Sequence, residues 1–204
     1  MDYRFIPIRR GTWWKHISTQ TVSGQSLEDA SEGELGTVLS VLRDTLLFNW
    51  QKVMFGPWMQ GVIFEMAFDE KPIMNLKNGY LTVGASSSLS HFHFCVINPQ
   101  EFHRQEKTKE IDNNKVCSKI GFFSKEPKHE NTILEYGIRF WNKKDEEMLT
   151  IFFPFPKLNS DKKLIRFQDW TNIQLWNDLI IKYSGSSSNT IRASQIERFS
   201  LLKF

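Results

Sequence analysis

The stretch "TILEYGIRFWNKKDEEMLTIFFPFP", residues 132–156, decides the fold class. Side chains alternate across a strand. Leu134, Tyr136, Ile138 and Phe140 therefore share one face, and Glu135, Gly137, Arg139 and Trp141 share the other. "NKKDEE" separates two runs rich in aromatic and β-branched residues, so the stretch reads as an antiparallel hairpin. Pro154 and Pro156 end its second strand, because proline has no N–H to give to a ladder.

Similar runs lie upstream. "MQGVIFEMAFDE" reads as a strand from Gly61 to Phe68, and "KPIMNLKNG" as a turn region closed by Asn78-Gly79. "YLTVG" and "HFHFCVI" read as two neighbouring strands, and "VCSKIGFFS" as another. Two segments carry helical periodicity instead. In the first, Leu35, Val38, Leu39, Leu42, Leu46, Trp50 and Val53 form a stripe, with Arg43, Asp44, Gln51 and Lys52 off it. Asp29 or Ser31 can cap its start, and Gly56-Pro57 stops it. The second runs through "WTNIQLWNDLIIKY" behind Asp169, with Trp170, Ile173, Leu175, Trp176, Leu179 and Ile180 on one broad face. The sum is an α+β domain, a mainly antiparallel sheet covered on one face by two principal helices. That domain is expected over residues 1–183. Residues 184–204 then read as a flexible "SGSSSN" linker and an amphipathic tail able to bind a partner.

Composition narrows the classes of function. Seventeen Phe and seven Trp give the chain ample material for a core. A net charge of +3, with the basic residues spread among acidic ones, gives no nucleic-acid footprint. No apolar run suits a signal peptide or approaches the ~20 residues of a membrane span. Two cysteines, Cys95 and Cys117, make no disulfide framework, so a reducing, cytoplasmic location is expected. Neither a strand–GxGxxG–helix unit nor a GxxxxGK[ST] loop occurs.

The chemistry concentrates in "SHFHFCVINPQEFHR", residues 90–104, with three of the five histidines. On a strand, His91, His93 and Cys95 share one face, and Phe92, Phe94 and Val96 share the other. Histidine and cysteine are ligands for zinc, iron and copper. Residues two apart on a strand lie ~6.5–7 Å apart and residues four apart ~13 Å. With metal–ligand bonds of ~2.0–2.3 Å, two neighbours can meet on one ion, but all three cannot without a bend. His91 and His93 are the favoured pair. A further ligand is sought among Cys95, Glu101, His103, Cys117 and His129. Arg139 is the candidate for a cofactor or other anionic small molecule, through a forked contact, if its strand face is continuous with the histidine face. Otherwise it pairs across strands with Glu135 or Glu147.

"HFHFCV" also resembles the histidine-triad nucleotide hydrolases, whose histidines alternate with apolar residues on a strand beside a phosphate. The resemblance implies His93 as the nucleophile on phosphorus and His91 as its support. It spans about seven residues, and Cys95 stands where the third histidine belongs. The cupin pattern fails at Asn98, which stands where that family needs a carboxylate, and no second motif follows. A broader resemblance covers roughly residues 30–180. "LLFNWQKVMFGPWMQGVIFEM", "HFHFCV" and "YGIRFWNKKDEEMLTIFFPFP" look like an uncharacterised family of small soluble proteins from cyanobacteria and other bacteria. Its HFHxC strand matches His91, Phe92, His93 and Cys95, and its GxRxWN hairpin matches Gly137, Arg139, Trp141 and Asn142. It implies a single domain and no mechanism.

The expectation is therefore a mononuclear Zn, Fe or Cu site on the HxHxC strand. Its open coordination positions suit a metal-dependent enzyme of unassigned substrate. The alternatives are a non-catalytic small-molecule-binding or assembly protein, and a histidine-triad-like hydrolase.

Overall fold

The computed structural model describes residues 2–7, 32–59, 62–77, 79–85, 91–96, 115–126, 135–154 and 171–184. The hairpin of the opening stretch is its centre. Strand β9 (Glu135–Asn142) pairs antiparallel with β10 (Glu147–Phe152), with Ile138 opposite Ile151 and Arg139 opposite Thr150. The turn between them is held by Asn142. Its side-chain oxygen accepts the N–H groups of Lys144 and Glu146, both at 2.9 Å.

Three of the remaining strands complete the sheet around this hairpin. β8 (Cys117–Glu126) pairs with β9, and β1 (Asp2–Pro7) pairs with β8. On the other side β2 (Met54–Gly56) pairs with β10, giving a five-stranded antiparallel sheet in the order β1-β8-β9-β10-β2. The short strands β3 (Trp58–Met59) and β4 (Val62–Ile63) form a hairpin beside β2. A second sheet has three strands, β5 (Ile73–Lys77), β6 (Tyr80–Gly84) and β7 (His91–Cys95), in that order and antiparallel. The architecture is α+β, mostly antiparallel sheet with two α-helices, α1 (Glu32–Leu42) and α2 (Thr171–Ser184).

Alternation explains how the sheets meet. Tyr136, Ile138 and Phe140 of β9, with Ile120 and Phe122 of β8 and Ile151 of β10, are almost wholly buried on one face. Leu81 and Val83 of β6 and Phe94 of β7 join them in one core. Phe94 meets Phe140 edge-on at 5.5 Å between ring centres, and Phe92 lies 5.1 Å from Phe55. Each such side chain contributes about 1.5–3 kcal/mol on leaving water, so this core dominates the stability. Helix α2 inserts Trp176 against Phe122 and Tyr136, and the indole N–H donates to the Gly137 carbonyl at 3.1 Å. Gly137 is required there: a Cβ would strike the Ile151 carbonyl and come within 2.8 Å of the Phe123 ring. The opposite sheet face is buried as well, with Phe123, Arg139, Thr150 and Phe152 on it.

Four elements differ from the sequence reading. The first helix ends at Leu42 and continues as a π-turn over Arg43–Leu47, then a 3₁₀ turn over Trp50–Lys52. A π-turn adds a residue to the ladder and shifts the phase of every later side chain. Arg43 and Asp44, expected off the apolar stripe, are buried for a different reason: every residue from Val38 to Leu47 is buried, so the segment is enclosed on all sides. "KPIMNLK", read as a turn region, is strand β5. Its exposed residues hid the period, with only Leu76 fully inside within the strand. The strand expected from Gly61 to Phe68 is only Val62–Ile63, plus one bridge from Met66 to Phe55. Strand β1 was not anticipated. The candidate caps Asp29, Ser31 and Asp169, and the tail after Ser184, lie outside the described residues. No helix among the described residues is long and apolar enough to cross a membrane.

Candidate functional site

Strand β7 lies at the edge of the three-stranded sheet, and its register with β6 builds the candidate site. The turn at Gly79 sets that register from the other side. Gly79 has φ 80°, a left-handed conformation that glycine adopts without strain, and Lys77 then faces Tyr80. Three rungs follow across the sheet. Ile73, Gly84 and His91 form the first, Asn75, Thr82 and His93 the second, and Lys77, Tyr80 and Cys95 the third. Directly opposed residues share a face, so these nine positions make up one side of the sheet. Phe92 and Phe94 lie on the other side, toward the core.

His91 and His93 are both exposed, and their rings stand edge to face with centroids 5.0 Å apart. Two nitrogens bound to one ion at ~2.0–2.1 Å each are at most about 4.2 Å apart, a separation that rings this close can reach. Nδ1 of His93 is 2.8 Å from the Thr82 hydroxyl. Gly84 beside His91 carries no side chain to crowd the ring.

Cys95 ends the same strand in different surroundings. It is buried, and burial pushes its thiol above the ordinary value despite a hydrogen bond with Tyr80 and the nearby Lys115 charge. Burial likewise raises the Tyr80 hydroxyl, with Cys95 adding to the shift. Cys117, at the start of β8, is 1% exposed, and burial pushes its thiol up to about 12. Neither cysteine is in a disulfide.

Arg139 lies on β9, in the other sheet, and does not share a face with the histidines. Its Nε is 3.7 Å from a Glu147 carboxylate oxygen, and its guanidinium sits 4.3 Å from the centre of the Phe123 ring. The Thr150 hydroxyl donates to the same Glu147 carboxylate. This is the cross-strand pairing that the alternation allowed for, in a buried setting. Glu101, His103 and His129 lie outside the described residues. Among the described residues no three His, Cys, Asp or Glu side chains gather as a metal site. The structure thus brings together His91 and His93, adds Thr82, and sets Cys95 and Arg139 in other environments. Thr82 was legible in principle. The Asn-Gly turn fixes which residue of "YLTVG" meets which residue of its neighbours, once "IMNLK" is read as a strand.

A family model described as "Family of unknown function (DUF7676)" matches residues 13–185, and the chain belongs to that family. No curated protein matches the chain. Among solved structures, a crystal structure of ChuX is similar over 80% of this chain and 95% of that one, at 17% identity and a TM-score of 0.45. A likeness that loose transfers no site.

Proposed function

We propose that this member of a family without an assigned function binds one transition-metal ion on the open face of its three-stranded sheet, through His91 and His93. The observation that carries the reading is the pair of exposed imidazoles 5.0 Å apart on a single strand. The donor set selects the ion. Imidazoles suit Zn, Cu and Fe, whereas Mg and Ca favour carboxylates, and the three rungs hold no carboxylate. Two protein ligands leave the other positions to water, to Glu101 or His103, or to a small molecule bound through the metal. Cys95, two rungs from His91 on the same strand face and buried, would reach an ion held by both imidazoles only through a bend of the strand.

An ion held by two imidazoles keeps open positions, which suit a small molecule bound through the metal as well as a metal-dependent reaction. The histidine-triad alternative loses support, since Cys95, in the third position, is buried. Anion binding by Arg139 would have to displace Glu147 from its side. The same proposal keeps residues 1–183 as one cytoplasmic unit and residues 184–204 as a partner-binding segment. In its support, the buried apolar residues of α2 run from Ile173 to Ile180, ahead of that boundary.

The test is the metal content of protein prepared without a histidine tag. About one equivalent of Zn, Cu or Fe is expected, lost for the most part in His93→Ala. Metal-free wild-type protein that also fails to take up any of the three when dialysed against them overturns the reading.

A further inference from the structure

We propose that Thr82 is a positioning residue for His93. In this assignment its hydroxyl accepts the Nδ1–H of the ring, which, of the two directions open to a hydroxyl, is the one that leaves the lone pair on Nε2. Thr82 and His93 are directly opposed on β6 and β7, and Thr82 Oγ1 lies 2.8 Å from Nδ1. A neutral imidazole has one donor and one acceptor nitrogen, and the hydrogen bond at one decides the role of the other. With Nδ1 committed to Thr82, the nitrogen available to an outside partner is Nε2, which has no hydrogen bond among the described residues. Both strands anchor the contact. Leu81 and Val83 flank Thr82, Phe94 follows His93, and all three apolar side chains are buried. The backbone positions of the pair are thereby fixed, while the functional groups stay at the surface.

The selected tautomer is the one in which Nε2 acts as a ligand, so Thr82 would act on metal binding through His93 without touching the ion. That consequence rests on the metal reading above, but the tautomer itself does not. Outer partners of metal-bound histidines commonly set ring orientation, and losing one costs about 10–100-fold in affinity.

The experiment has two arms. In the first, long-range proton–nitrogen correlation spectra of the metal-free protein report the His93 tautomer at a pH where the ring is neutral. Wild type and Thr82→Ser should show the Nδ1–H form in the majority, and Thr82→Val should revert to the Nε2–H form. A wild-type ring with its proton on Nε2, or a Thr82→Val spectrum like wild type, overturns the proposal. In the second arm Zn(II) is titrated into the same three proteins. Thr82→Val should bind about 10–100-fold more weakly, with Thr82→Ser restoring most of the loss. Equal affinities in all three overturn the positioning role even if Zn(II) binds. Absence of Zn(II) binding to wild type sinks the metal reading and leaves the tautomer to be judged by the spectra.

Discussion

Asp44 and Lys182 meet at 2.6 Å although 138 residues separate them in the chain. The same carboxylate oxygen accepts the Tyr183 hydroxyl, also at 2.6 Å, and the Arg43 Nε is 3.6 Å from the other oxygen. Asp44 lies in a segment buried on all sides, and the last turn of α2 supplies both of its interhelical partners. Removing the carboxylate leaves Arg43 buried with less compensation. Asp44→Ala should therefore lose about 1–3 kcal/mol. Lys182→Met should lose less than about 1 kcal/mol, because the Lys182 side chain is partly in water. Urea unfolding of the two variants checks the order, and equal losses would contradict it.

Arg139 and Glu147 should behave as a buried pair. Glu147→Ala removes the carboxylate beside a buried guanidinium and should cost about 3–5 kcal/mol. The double variant Arg139→Met with Glu147→Leu should recover most of that loss, since neither charge remains. A double-mutant cycle by denaturant unfolding measures the coupling. If Arg139 serves an anionic ligand instead, Arg139→Met alone should leave stability nearly unchanged.

Cys117 should report folding through its chemistry. Its thiol is pushed from 9.0 to about 12 in the folded chain, so a neutral-pH thiol reagent should label it only after unfolding. Between those two values the unfolded chain has given up a proton that the folded chain keeps. The contribution is thus fully present below pH 9.0 and is lost as pH rises toward about 12, so stability falls with alkalinity. Cys117→Ser should flatten part of that slope in unfolding measured across the alkaline range.

Deletion of residues 185–204 should leave the fold and the histidine pair intact, and change only self-association or partner binding. The side chains that α2 buries in the core, Ile173, Trp176, Leu179 and Ile180, all precede the deletion. Thermal melting and gel filtration of the shortened chain decide this. A large drop in melting temperature places the boundary elsewhere.

Much of the fold was legible because periodicity reports burial. The hairpin of β9 and β10, the strands at Tyr80 and His91, and the apolar face of α2 all follow their expected spacing. Failures came where a helix is enclosed on all sides or one strand face stays wet. Polar Arg43 and Asp44 are buried with the stripe residues around them, and the exposed side of β5 looked like a turn. For the site, alternation is enough to place His91 and His93 side by side. Sequence spacing could not reveal that Cys95 is buried or that Arg139 belongs to another sheet, because both depend on how two sheets pack. Thr82 needed the register, which in turn needed β5.

Spectroscopy of the Cu(II)-loaded protein tests the central claim most directly. One Cu(II) held by His91 and His93 should give an electron paramagnetic resonance spectrum with coupling to two imidazole nitrogens at a stoichiometry of one. His91→Ala and His93→Ala should each remove one nitrogen and weaken binding more than tenfold, at least the loss that an outer partner alone can cause. A wild-type spectrum with one imidazole nitrogen or none, or a two-nitrogen spectrum that survives either substitution, contradicts the account.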